Sequence, residues 1–148
     1  MGKRNVKTIV LDTNIITRYL IGDVEWQLLE AKAMFRRAEK GEVKLLILPV
    51  VVAEVSYVLG TVYQKVESEI SSYLQSFLAQ PCFELEHEKA LLGMWDWFEQ
   101  GQHFVDSYLL ALEKYEGIGV FSFDKELNKK LNKKLNKKIS FIEVEKKG

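Results

Sequence analysis

Four acids stand where chemistry could be done: Asp12, Glu54, Asp106 and Asp124. Asp12 ends the apolar run Ile9-Val10-Leu11 and is followed by Thr13 and Asn14. Asp124 follows "VFSF" and precedes "KELNKK". A carboxylate between a strand and a helix has two open roles, helix N-cap or ligand. Glu54 has Val50, Val51, Tyr57 and Val58 as its helical neighbours, and Asp106 has Leu109 and Leu110 one turn on. An acid on an apolar helix face is costly unless it is paired or metal-bound. No Lys or Arg falls within one turn of either, so a buried ion pair would need a distant cation. Two carboxylates about 5 Å apart repel by roughly 3 kcal/mol at an effective dielectric near 20. Four converging acids therefore need protons or a cation. An all-oxygen set favours Mg²⁺ or Mn²⁺ over zinc. Such an ion makes bound water more acidic and neutralises charge on a phosphoryl oxygen, which is the chemistry of phosphodiester hydrolysis.

The elements that must position these groups read as alternating strands and helices. Thr8 to Leu11 suits a short strand buried on both faces. Helical spacing then runs from Asn14 to Ile21 and again over residues 26–40, where Gly41 stops it. "VKLLILPVVVAEVSYVLG" predicts a strand over 43–48 and a helix opened by Pro49, with Gly60 closing or interrupting it. Helical spacing resumes from Val62 to Leu78, and "PCFELE" is a third strand candidate. Residues 88–99 and 103–115 predict two helices, "GIGVFSF" a fourth strand, Lys125 to about Lys138 a basic helix, and "ISFIEVE" a fifth strand. This alternation implies an α/β fold with a mainly parallel sheet. In such sheets the ligand crevice lies beyond the carboxyl ends of the strands, where Asp12 and Asp124 fall.

Composition narrows the class. The 148 residues suffice for one domain with a substantial core, and nothing resembles a linker, so a single domain over 1–148 is expected. Lys+Arg and Asp+Glu balance at 21 each, yet residues 125–138 carry seven lysines against Glu126 alone. That is a local charge of about +6, leaving about −6 elsewhere. The single cysteine, Cys82, excludes an intramolecular disulfide and fits a reducing, cytoplasmic setting. No apolar run reaches the roughly 18 residues of a membrane span, and the amino terminus lacks the pattern of a cleavable signal.

The four acids sit in blocks that resemble those of the PIN-domain ribonucleases, and among them the VapC-type toxins of toxin–antitoxin pairs. "VLDTN" looks like the first block, with Asp12 as its acid and Thr13 and Asn14 as supporting polar residues. "PVVVAEVSYVL" is similar to the second and puts its acid on Glu54, while "HFVDSYLLALEKYEG" resembles the third, with Asp106. "VFSFDKEL" matches the fourth and contributes Ser122 and Asp124. One position departs: many relatives carry a further acid three residues before the third-block aspartate, where this chain has His103. The resemblance implies a three-layer α/β/α sandwich and an Mg²⁺- or Mn²⁺-dependent endoribonuclease, in which Asp12, Glu54, Asp106 and Asp124 hold the metal. It further implies an RNA substrate, a homodimer and an inhibitory antitoxin protein. Other readings are an RNA-processing nuclease without an antitoxin and an inactive binding module on the same fold. A haloacid-dehalogenase-like phosphatase would want a second aspartate at position 14, where Asn14 stands.

Around these acids, Arg18 could reach a phosphate or lie on the surface, and Trp95, Trp97 and Phe98 could stack on bases or pack a core. "LNKKLNKKLNKK" repeats every four residues. On a helix it places Leu127, Leu131 and Leu135 on one face that drifts by about 40° per step. Lys125, Lys129 and Lys130 could follow an RNA backbone or simply be solvated. Replacing Lys129, Lys130, Lys133 and Lys134 by Gln should leave the thermal midpoint nearly unchanged. If the lysines follow phosphates, RNA affinity falls and its dependence on log salt flattens; unchanged affinity and slope make the repeat a solvated face.

Overall fold

The computed structural model describes residues 5–132. They form two compact units that divide between Glu88 and Lys89.

The first unit contains β1 (Lys7–Val10), α1 (Thr13–Ile21), α2 (Glu25–Glu39), β2 (Val43–Ile47), α3 (Pro49–Thr61), α4 (Glu67–Leu78) and β3 (Phe83–Leu85). Its sheet is parallel in the order β1-β2-β3, with Ile9 opposite Leu45 and Leu45 opposite Phe83. Parallel neighbours require crossovers, and each connection here supplies two helices, which places the fold in the α/β class. The β-branched run in β1 suggested a strand buried on both faces. Instead, among the described residues β1 pairs on one side only, Val10 is 49% exposed, and β2 carries the buried positions Val43, Leu45 and Ile47. Among the described residues β2 has a strand neighbour on each side and β1 has one.

The rings of Tyr19, Phe35, Phe77 and Phe83 join α1, α2, α4 and β3, with centroid separations between 4.7 and 5.9 Å. All five pairs are edge-on or tilted, as the ring quadrupole favours. Gly22 ends α1 in the left-handed conformation and donates its N–H to the Arg18 carbonyl at 2.8 Å. Gly60 neither ends nor interrupts α3, which runs through it to Thr61. The chain then turns at Gln64, where φ is positive, and Lys65 N–H bonds back to the Leu59 carbonyl. The helix expected from Val62 therefore begins only at Glu67, where the Glu69 side chain accepts from Val66 N–H.

The second unit contains α5 (Glu88–Gly93), α6 (Trp95–Glu99), α7 (Phe104–Glu116) and α8 (Lys125–Lys130). The single helix expected over 88–99 is broken at Met94, and Gly93 there lies against the Tyr115 ring. Trp95 and Phe98 are buried, which resolves their two readings in favour of packing. "GIGVFSF" makes no ladder with any strand among the described residues, and a strand exists only through its partners. Leu127 and Leu131 pack with Leu110 and Val120, as the repeat's leucine face predicted. The described part of the basic helix ends at Lys130; the rest of the repeat beyond Asn132 and the expected fifth strand lie outside the described residues.

Truncating Phe77, 2% exposed within the ring cluster, to Ala should cost about 3–5 kcal/mol in a denaturant titration. Trp26→Ala, at a position 62% exposed, should stay within about 0.5 kcal/mol of the parent. Equal losses at the two positions would contradict this core.

Candidate functional site

In the first unit, β1 and β2 run in the same direction, so the helices that follow them both begin at one sheet edge. Only Leu11 and Asp12 separate β1 from α1, and only Leu48 separates β2 from α3. Leu11 N–H still reaches the Leu46 carbonyl at 3.0 Å, which keeps the ladder intact up to Asp12. Asp12 is the N-cap residue of α1, yet its side chain makes no capping bond. Its backbone carbonyl, not its carboxylate, serves the helix by accepting from Ile15 and Ile16.

Thr13, the first residue of α1, is buried and donates its hydroxyl to Glu54 Oε2 at 3.0 Å. Glu54 lies in the second turn of α3, so this bond ties the first block of sequence to the second. The sequence places Glu54 on an inward apolar face, but in the structure Glu54 is exposed. α3 is apolar nearly all round, so its neighbours reveal no direction; Val50 and Tyr57, 71% and 69% exposed, share the solvent side with Glu54. Asn14 is exposed beside it. Arg18 donates to Asp23 at 3.3 Å and to Tyr63 Oη at 3.1 Å, so its guanidinium is engaged by the chain itself.

In the second unit, Asp106 stands in the first turn of α7 and is half-buried, not inward. A carboxylate at that position is favoured by the helix dipole without any cation. His103 is the exposed N-cap residue of α7, with no side-chain capping bond; its carbonyl accepts from the Ser107 hydroxyl at 2.9 Å. Asp124 does cap: its Oδ1 accepts from Leu127 N–H at 2.9 Å at the start of α8. Ser122 Oγ accepts from Asp124 N–H at 3.0 Å, and Asn128 Nδ2 donates to the Ser122 carbonyl at 2.8 Å. The Asn128 contact was hidden in the repeat, where all three asparagines look alike. Lys125 and Lys130 are exposed, and Lys129 pairs with Glu126 at 3.1 Å on the surface.

Among the described residues three ion pairs occur, and none involves Asp12, Glu54, Asp106 or Asp124. The ion-pair alternative for Glu54 and Asp106 therefore finds no partner there. No group of three or more His, Cys, Asp or Glu side chains among the described residues is arranged to hold a metal ion. The donors available at the four acids are oxygen only, the chemistry of a hard divalent cation. Cys82 offers no alternative nucleophile: partial burial, and then the Glu39 carboxylate, push its thiol above the ordinary range and keep it protonated.

The sequence from residue 9 to 132 matches the PIN domain family, and the chain belongs to that family. PIN domains are generally nucleases that hydrolyse nucleic acid, typically with divalent metal ions. Comparison with curated proteins and with solved structures gives no match. No helix among the described residues is long and apolar enough to cross a membrane.

The two strand-to-helix aspartates can be told apart by stability. Asp124→Ala should cost about 0.5–2 kcal/mol in a thermal melt through the lost cap, and Asp124→Asn should retain it. Asp12→Ala should cost almost nothing, because its carboxylate caps nothing. A large loss at Asp12 would contradict the geometry of α1.

Proposed function

We propose that the chain is a metal-dependent endoribonuclease, the toxin of a toxin–antitoxin pair, with Asp12, Glu54, Asp106 and Asp124 as its metal-binding and catalytic acids. Membership of the PIN domain family supports the nuclease chemistry, and the VapC-like order of the four sequence blocks supports the toxin assignment. The observation that carries the site is the Thr13–Glu54 hydrogen bond, which links two of these acidic blocks across 41 residues of sequence. It is also what a ligating carboxylate needs, since one oxygen is fixed by a neutral donor and the other stays available.

Mg²⁺ or Mn²⁺ held by these oxygens would supply positive charge against the phosphoryl group and a more acidic water. The chain's own residues do the positioning. Thr13 orients Glu54, Asp106 stands in the first turn of α7, and Ser122 fixes the backbone at Asp124. Asn14 borders Asp12, and Lys125, Lys129 and Lys130 supply positive charge for the RNA backbone. Arg18 is a weaker candidate for that role, because Asp23 and Tyr63 already engage it. The proposal includes one domain over the whole chain, a homodimer, an antitoxin protein that inhibits it, and a cytoplasmic setting.

The purified chain should cleave single-stranded RNA internally with Mn²⁺ or Mg²⁺ and stop in chelator. Glu54→Gln should abolish cleavage. Thr13→Val should lower metal affinity or activity by about 10–100-fold, as the loss of a ligand-orienting partner does, and Thr13→Ser should restore it. Cleavage that survives chelator contradicts the proposal. Expression of the chain alone should arrest growth, and co-expression of a small protein encoded beside it should relieve the arrest. A chain that cleaves RNA without affecting growth belongs instead to RNA processing.

A further inference from the structure

Asp124 ends a segment, residues 117–124, that makes no ladder with any strand among the described residues. Its placement there comes from local hydrogen bonds instead. Its N–H donates to Ser122 Oγ at 3.0 Å, and its carbonyl accepts from Asn128 N–H at 3.0 Å. Its Oδ1 accepts from Leu127 N–H at 2.9 Å. Leu127 is anchored in turn, because its side chain packs with Leu110, Val120 and Leu131. Ser122 is anchored by Asn128, whose Nδ2 donates to the Ser122 carbonyl at 2.8 Å. Asn128 therefore grips the turn twice, by its backbone at Asp124 and by its side chain at Ser122. The next asparagine of the repeat, Asn132, has a different neighbour: its N–H donates to Glu113 Oε1 at 2.7 Å. Asn128 is tied to the Asp124 turn by its place in the fold, not by the repeat as such.

A metal-binding carboxylate serves only when its orientation is fixed, and the groups that fix it are hydrogen-bonding partners one step removed from the ion. We infer that Asn128 is a positioning residue for Asp124. By holding the Ser122 carbonyl it sets the turn in which Asp124 Oδ1 stays on Leu127 N–H and Oδ2 is left for a divalent cation. The inference rests on the reading of Asp124 as a metal-binding acid, and it deepens that reading by naming what aims the carboxylate. A carbonyl can only accept, so position 128 must present a donor, which the amide of Asn does. Without that amide the Ser122 carbonyl loses its partner, and Asp124 is held from the α8 side alone.

The test uses the full chain and reads metal binding and amide exchange, neither of which needs turnover. Asn128→Ala, and Asn128→Leu as a donor-free side chain of similar size, should each weaken Mn²⁺ binding about tenfold or more in a calorimetric titration. Asp124→Asn should also bind Mn²⁺ weakly, and adding Asn128→Ala to it should change nothing further, since no carboxylate remains to be aimed. An equal loss from Asn128→Ala in both backgrounds overturns the inference, because the asparagine then acts on the fold and not through Asp124. Hydrogen exchange without metal reads the turn directly. In Asn128→Ala the Leu127 amide should exchange about fivefold faster, the scale of one hydrogen bond. Leu131 N–H, which donates to the Leu127 carbonyl, should exchange as in the parent. Equal acceleration at both amides marks a loosened helix and overturns the inference, as does an unchanged Leu127 amide. If Asp124→Asn loses Mn²⁺ while both Asn128 variants bind as the parent does, the inference fails and the metal reading stands. If Asp124→Asn binds Mn²⁺ as the parent does while Leu127 alone exchanges faster in Asn128→Ala, the metal reading of Asp124 fails and its positioning by Asn128 stands.

Discussion

Parallel strands end at a common edge of their sheet, and the first unit is organised by that constraint. Because Lys7–Val10 pairs in parallel with Val43–Ile47, the helices that follow each strand start side by side. The connections are too short to carry those starts elsewhere: two residues after the first strand and one after the second. Thr13 then lies within hydrogen-bonding distance of Glu54, and Asp12 is left beside them with an uncommitted carboxylate. Slipping the strand register would move Thr13 relative to Glu54, so the buried positions Leu45 and Ile47 hold that contact as well as the core.

The acids are tolerated for different physical reasons. Asp12 and Glu54 are exposed, so water solvates their carboxylates. Asp106 lies at the positive end of a helix. Asp124 is consumed in part by capping, with one oxygen on Leu127 N–H. A capping carboxylate still has lone pairs to offer, so cap and ligand are compatible roles. No charge is buried without compensation at any of these four positions.

Much of this was legible in the residues. The first strand, the helix after Asp12, the Pro49-initiated helix and the helix over 104–116 follow from periodicity and punctuation, and they lie close to the expected bounds. The orientation of Glu54 was not legible, because a helix apolar on every side gives the same pattern whichever face is buried. "GIGVFSF" shows the alternation of a strand, but alternation describes only the chain, and pairing depends on a partner. The closeness of the Tyr115 ring to Gly93, beside the break at Met94, is a contact between positions far apart in sequence and is not written in either segment. Family membership was easier to read than geometry because acid types and their order survive in the sequence, whereas hydrogen bonds such as Thr13 to Glu54 do not.

The central claim is that these acids are kept unpaired for a cation. Thermal melts of the parent and Asp12→Asn, each with and without Mn²⁺, test it most directly. An ion that binds only the folded chain adds about 2.7 kcal/mol of stability at a hundred times its dissociation constant, so the parent's midpoint should rise with Mn²⁺. In Asp12→Asn that rise should vanish, while the metal-free midpoint stays at or above the parent's because a carboxylate without a cation partner has been neutralised. A variant that melts lower without metal, or that Mn²⁺ still stabilises as strongly as the parent, would contradict the account.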